Sequence, residues 1–390
     1  MKNDYHIIIF SRLQNYDGGR ETWLNQFLPL LKEEKTTHEI FVYHFIDDNS
    51  DPSQLISNFY NSDIKYEGIV IPNLKNIIHS LLRIIIFSSK VIYKLRENNN
   101  KLNKSIFIGV GGFYEGGTLW AFKTFSLFKK PRTIVWLRGI WPREIRARHS
   151  KLIALIVQKL EKVFLKSANQ VISNGLDTQY FYHSHLNITS TAIPNAIDLS
   201  RFYNKKTISE RLIISYVGRL SKEKGILDYL RSIEYFNSNF PESKDKVQFE
   251  IVGAGPLKYL VENFKETNTS YLGEISNDNI PNYLSRINVG VALTYFNEEI
   301  GGGGLSNGLL EIIASKALVV AWDNKIFKQI LDTKSAFLIE EENWRELGMI
   351  YNSILLDEFV IKTKTEIAYN YLKDCSFENH MRKFMKLMNS

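Results

Sequence analysis

The sequence predicts an α/β protein of two parallel-sheet domains facing each other across a cleft. Three observations lead there. Short apolar runs alternate with longer segments of helical period along the whole chain, the pattern of strand–helix–strand units. At 390 residues the chain is long enough for two domains, each with its own core. Glycine-rich turns follow apolar runs in both halves, and open α/β sheets bind ligands at the carboxyl ends of their strands.

In the first half, strands are expected at residues 5–11, 39–45, 67–71, 105–110, 133–138, 169–173 and 190–193. In the second half they are expected near 212–217, 247–252, 269–272, 288–293, 317–321 and 335–339. Helices fill most intervals, among them 20–34, 150–166, 225–238, 279–286 and 306–316. The opening residues form a short strand rather than a signal peptide, because Asp4 and His6 flank a brief apolar run that Arg12 follows. A polar stretch, Lys205–Glu210, marks the boundary, giving domains at 1–195 and 196–373. Gly109, Gly111 and Gly112, with Gly116 and Gly117 beyond, invite a dinucleotide reading that fails on spacing at Tyr114. A loop lining the cleft is expected there instead.

Composition narrows the class. Hydrophobic residues make up 44% and charged residues 23%, ordinary for a soluble globular protein. The single cysteine, Cys375, rules out an intrachain disulfide and suits a reducing cytoplasm. No Cys/His cluster has zinc-ligand spacing, and no uncharged stretch approaches the roughly 20 residues that span a bilayer.

Charge is uneven. Residues 1–195 hold 25 Lys/Arg against 16 Asp/Glu, and the stretch 65–166 alone holds 20 against 5. Such a belt implies an anionic partner. Within it, about Asn73 to Arg96 is an amphipathic basic helix, with Lys75, His79, Arg83, Lys90 and Lys94 on one arc. It is either a packing helix with a solvated basic face or a surface lying on anionic lipid. The aromatic and basic run Leu119–Lys130 favours membrane contact. No nucleic-acid-binding module accompanies the charge, so no nucleic-acid partner is expected.

Two segments carry the chemistry. The apolar run Leu212–Val217 ends in Gly218-Arg219-Leu220-Ser221-Lys222-Glu223-Lys224-Gly225, which sets two cations, Arg219 and Lys224, on a turn into a helix. Downstream, Gly302-Gly303-Gly304-Leu305-Ser306-Asn307 opens a second helix with Glu311 one turn in. Glycine runs let backbone N–H groups approach an anion, and a helix N-terminus adds partial positive charge. Cations and loop together suit a diphosphate, with Arg219 as a bidentate grip, Lys224 as a point charge and Glu311 for a ribose diol. The substrate so described is a nucleotide-sugar. Gly18 and Gly19 follow the first strand and open a helix, a position near donor phosphates or acceptor.

These pieces resemble the retaining glycosyltransferases of family 4, of the bacterial surface-polysaccharide type, whose GT-B fold pairs two Rossmann-like domains. The resemblance covers roughly residues 190–325, on Ile193–Phe202, Gly218-Arg219 with Lys224-Gly225, Val252–Pro256, Tyr271–Ile275 and Gly304–Ala314, in order and spacing. It implies donor binding by Gly218, Gly253, Gly255, Pro256, Gly273, Ile275, Gly302, Gly303, Gly304, Leu305, Ser306, Asn307 and Glu311. It also implies that the last helix, within 374–390, crosses back onto the first domain. No metal, no cofactor and no covalent intermediate are implied; the donor is a nucleotide-sugar, UDP-linked by family habit, and the acceptor a glycan or lipid-linked molecule. The enzyme would be cytoplasmic, peripheral at the inner face of the cell membrane.

Two departures stand out. Many family members carry two glutamates eight positions apart, the second matching Glu311, and Gly303 occupies the place of the first. Glu299, in preference to Glu298, is expected to supply that carboxylate. Arg138 stands where many members have a histidine; with Arg143 it is expected on the acceptor side, holding a phosphate or sugar hydroxyl. The alternative is a non-catalytic nucleotide-sugar-binding homologue.

Overall fold

The computed structural model describes residues 2–11, 13, 19–47, 63–71, 78–97, 105–125, 131–148, 150–202, 209–296 and 305–389. Chain contacts divide it into two units, Met1–Pro194 with His380–Ser390, and Asn195–Asn379.

The first unit runs β1 (Asn3–Ile9), α1 (Gly19–Glu33), β2 (Thr37–Asp47), β3 (Lys65–Ile71), α2 (Ile78–Glu97), β4 (Ser105–Val110), α3 (Phe113–Phe125), β5 (Arg132–Leu137), α4 (Trp141–Arg148), α5 (Lys151–Ser167), β6 (Gln170–Ser173), α6 (Leu176–Leu186) and β7 (Thr191–Ala192). Its seven strands are parallel, in the order β3-β2-β1-β4-β5-β6-β7. Helices cover such a sheet on both faces, so its central strands are mostly apolar. β4 is buried at all six positions. Strand order reverses between β1 and β4, the switch point where doubly wound sheets open a crevice.

The second unit runs β8 (Leu212–Val217), α7 (Ile226–Asn239), β9 (Val247–Val252), α8 (Lys258–Glu262), β10 (Thr269–Tyr271), α9 (Ile280–Leu284), β11 (Val289–Ala292), α10 (Asn307–Ala314), β12 (Leu318–Trp322), β13 (Ala336–Ile339), α11 (Trp344–Leu356) and α12 (Glu358–Leu372). Its six parallel strands lie β10-β9-β8-β11-β12-β13, with the reversal between β8 and β11. One continuous core runs from Ile213 on β8 to Leu372 on α12. A last helix, α13 (Phe377–Asn389), belongs from His380 onward to the first unit.

The loop expected around Gly109–Gly117 is corrected. Gly111 and Gly112 do form a turn, but Gly116 and Gly117 lie inside α3. A Cβ on Gly117 would meet Ile84 of α2 and Phe164 of α5, each at 3.1 Å. The glycine pair lets three helices close up, an advantage that offsets its poor helix propensity of about 1 kcal/mol. The basic helix expected from about Asn73 is present as α2; its expected first residues, with Lys75, lie outside the described ones. Among the described residues no helix is long and apolar enough to cross a membrane.

Candidate functional site

In the second unit four strand ends are stitched together. After β8, the Gly218 N–H donates to Val252 O (3.0 Å) and the Leu220 N–H to Ala254 O (2.8 Å). After β9, the Gly253 N–H donates to Gly273 O beyond β10 (2.8 Å), and Tyr271 Oη donates to Gly253 O (2.8 Å). Gly253 has φ +130°, and a Cβ there would sit 2.0 Å from the Gly218 carbonyl oxygen, so only glycine lets these two turns cross. After β11, the Tyr295 N–H donates to Glu223 O (3.1 Å).

Tyr216 Oη donates to the carbonyls of Arg219 (2.8 Å) and Lys224 (3.2 Å), fixing both ends of the cation-bearing turn from the core side. Gly225 takes φ +73° immediately afterwards and turns the chain into α7. Lys224 Nζ donates to Thr294 Oγ1 (3.3 Å), which bridges the β8/β11 switch point. Arg219 is exposed and its side chain makes no ion pair or hydrogen bond with a described residue, so its guanidinium is available to a ligand. At α10, the N-cap Ser306 accepts from the Leu309 N–H (3.2 Å), and the buried Asn195 donates to Leu305 O (2.8 Å). Asn307 begins the helix. A Cβ on Gly308 would lie 3.5 Å from Val217 O, so the first turn of α10 abuts the end of β8. Glu311 is half-buried; desolvation pushes its carboxyl above the usual range while Arg201 pulls it back.

The sheet of the first unit has its own cavity at its own switch point, of about 270 Å³, lined by Phe10 after β1, Gly111–Glu115 after β4, and Arg138, Gly139, Trp141 and Glu144 after β5, with Arg20 of α1. Glu115 is buried and accepts from the Phe10 N–H (2.9 Å) and from Arg20 Nη1 (3.3 Å). Phe10 and Tyr114 stack at 4.3 Å. The Arg138 guanidinium lies 4.3 Å over the Trp23 ring, and burial, then the neighbouring Arg20, lowers its pKa to about 9. Arg143 instead packs over Phe181 of α6 (4.9 Å) and is not among the lining residues.

Behind Gly112 lies Glu161 of α5, fully buried, with Oε1 accepting from Tyr182 Oη (3.1 Å). Burial pushes its carboxyl up to about 8, against the pull of the Tyr182 hydrogen bond. Because the folded state keeps this proton where the unfolded chain has lost it, the stability it contributes falls away as pH rises from about 4.5 to about 8. The buried His6 and His44, each lowered to about 4, act in the opposite sense, but only below their ordinary value of 6.5. Between pH 6.5 and 8 the first unit is therefore expected to lose stability with rising pH. The share of that slope due to Glu161 is bounded by the full titration of one proton, about 1.4 kcal/mol for each pH step of one. Glu161→Gln is expected to flatten that slope; thermal unfolding of both proteins across the window checks it, and parallel slopes refute it.

Residues 201–373 match the family model described as glycosyl transferases group 1. No curated protein sequence matches the chain. Sucrose-phosphate synthase of Thermosynechococcus elongatus is similar over 100% of this chain and 98% of that one, with a TM-score of 0.75 at 15% identity. HepE of Anabaena, solved in complex with UDP, aligns over 100% of both chains with a TM-score of 0.73 at 16% identity. The N-terminal domain of trehalose-6-phosphate phosphatase from Candida albicans aligns over 99% of this chain and 96% of its own, with a TM-score of 0.75 at 12% identity. The fold is GT-B.

The second GT-B unit places Gly218, Arg219, Lys224, Gly253, Gly255, Pro256, Gly273, Ile275, Leu305, Ser306, Asn307 and Glu311 on strand-end loops or the start of α10. Gly302, Gly303, Gly304 and Glu299 lie outside the described residues, as does Gly18; Gly19 opens α1. Pro256 is exposed, and Gly273 has open space where a Cβ would stand. Sequence reasoning missed the residues that brace the β11 loop. Asn324 Nδ2 donates to Thr294 O (2.9 Å) and Glu341 Oε1 (2.7 Å), and Glu341 accepts from the Phe296 N–H (2.8 Å). It also missed Glu115 and Arg20, which only the fold brings beside Arg138.

Proposed function

We propose that the chain is a retaining glycosyltransferase that moves a sugar from a nucleotide diphosphate-sugar, with UDP the expected carrier, to a glycan or lipid-linked acceptor in bacterial surface-polysaccharide synthesis. The observation that carries this reading is the cation pair: an available Arg219 and an anchored Lys224 at the second unit's switch point, beside the start of α10. The family match over 201–373 supports sugar transfer, and the UDP complexes of HepE support the carrier. In the proposed reaction Arg219, Lys224 and loop amides take up the charge of the departing diphosphate in place of a metal, while the acceptor hydroxyl attacks from the face the leaving group vacates. Glu311 holds the ribose and Glu299 serves the sugar. The aromatic cavity with Arg138 and Arg20 is the proposed acceptor side. We place the enzyme at the inner face of the cell membrane, on the strength of the basic belt in residues 65–166.

A thermal-shift screen of nucleotides and nucleotide-sugars tests the donor assignment. A nucleotide at a hundredfold excess over its Kd should stabilise the native state by about 2.7 kcal/mol. UDP and a UDP-sugar are expected to raise the melting temperature; no response to any nucleoside diphosphate sinks the reading. Gly303 favours one alternative, a non-catalytic homologue, which would bind UDP-sugar and release no UDP from it.

A further inference from the structure

Helix α5 buries Ala154, Val157, Glu161, Phe164 and Leu165 against the first unit. Its other side is not the solvated stripe such a helix normally shows. Leu152 is 68% exposed and Val163 51%, with Leu155 and Ile156 exposed between them at helical spacing. Lysines are threaded through this stripe: Lys151, Lys159 and Lys166 are exposed and Lys162 is half-buried. None of the four is paired with a described residue. Glu161, the one acidic residue of the helix, lies on the buried side, so nothing on the outer face offsets the charge.

The neighbouring helices extend the same character. Gly117 of α3 sits between Ile84 of α2 and Phe164 of α5, so the three helices form one layer. Along its outer side α2 leaves Ile85 60% exposed, and the end of α3 leaves Phe125 66% exposed. The Phe125 ring lies 6.0 Å from Trp120, which in turn packs on Phe164 at 5.4 Å.

We propose that this face, centred on α5, docks in the plane of an anionic phospholipid surface. Leu152, Leu155, Ile156 and Val163 enter the boundary between headgroups and acyl chains, and the lysines meet lipid phosphates. The charge pattern selects the occupant. The core of a protein interface is depleted in lysine, whereas here Lys159 stands at the centre of the apolar stripe. At a lipid surface its stem lies along the apolar boundary while its ammonium reaches the headgroups. Tryptophan beside such a stripe suits the same depth. The inference gives named residues to the membrane contact proposed above from charge, and it does not depend on the sugar-transfer reading.

Flotation of the full chain with phosphatidylglycerol-containing vesicles, and with phosphatidylcholine vesicles as control, tests it. The wild type is expected to float with the anionic vesicles and to be released by salt. Ile156→Asp with Val163→Asp should lower the bound fraction at least about tenfold, and Lys159→Glu with Lys166→Glu should do the same at low salt. All four positions are exposed, and an unchanged melting temperature confirms that the variants fold. Unchanged flotation of both variants overturns the assignment to α5 while leaving a membrane contact elsewhere. Failure of the wild type to float even at low salt overturns both. A concentration-dependent dimer that Ile156→Asp abolishes also overturns it, in favour of a second copy of this chain.

Discussion

Arg219→Ala and Lys224→Ala are each expected to lower turnover of the nucleotide-sugar by roughly a hundredfold or more, the scale on which one preorganised charge donor is lost from a reacting centre. The two variants should differ in character. The Arg219 side chain is exposed and uncommitted among the described residues, so its fork is free to grip two phosphate oxygens at once. Arg219→Lys keeps the charge and loses that geometry, and an intermediate loss is expected. Lys224 is held through Thr294 and through the Tyr216 hydroxyl on its carbonyl, so its ammonium is already placed when the substrate arrives. If it acts on the leaving diphosphate rather than on the bound ground state, Lys224→Ala should depress kcat and leave the KM for donor nearly unchanged. UDP release, measured with the nucleotide-sugar that the binding screen selects, reads both. Near-normal rates in both variants refute the mechanism.

What was legible in the sequence was what local pattern controls. Leu212–Val217 and Ser105–Val110 are apolar but for one serine each because parallel strands are covered on both faces, and both fold as strands where the runs lie. The cation turn could be placed because its glycines, Gly218 and Gly225, sit at the two points where the backbone leaves ordinary φ values. What could not be seen came from contacts distant in sequence. Gly116-Gly117 carries the local signature of a loop; only the approach of α2 and α5 makes it a helix. Glu115 and Glu161 look like surface acids until the fold buries them, one against Phe10 and Arg20, the other against Tyr182. The charged neighbour that bears on Glu311 is Arg201, far upstream on the segment that enters the second unit. Arg138 rests on Trp23, a residue of the first helix with no sequence link to it.

Trp23→Ala is expected to destabilise the first unit by about 3–5 kcal/mol, the range for removing a large buried aromatic. Trp23 is fully buried, stacks on Phe27 at 4.6 Å and meets the edge of Trp136 at 4.7 Å. Its Nε1–H donates to His380 Nε2 (2.9 Å), which leaves His380 Nδ1 to donate to Pro194 O (2.9 Å). That arrangement needs a neutral imidazole, and burial, with Arg138 nearby, lowers His380 to about 3. The stability it contributes is present above about 6.5 and is lost as pH falls toward 3, because the unfolded chain takes up the proton first. Trp23→Phe keeps most of the volume and strands the His380 acceptor, so a loss of about 1–3 kcal/mol is expected. Urea unfolding followed by near-ultraviolet circular dichroism measures both variants. The alanine variant also removes the face on which Arg138 rests, so a cavity-lining guanidinium loses its position along with the core. A Trp23→Ala protein as stable as the wild type would mean that α13 and α1 do not share the packed core described above.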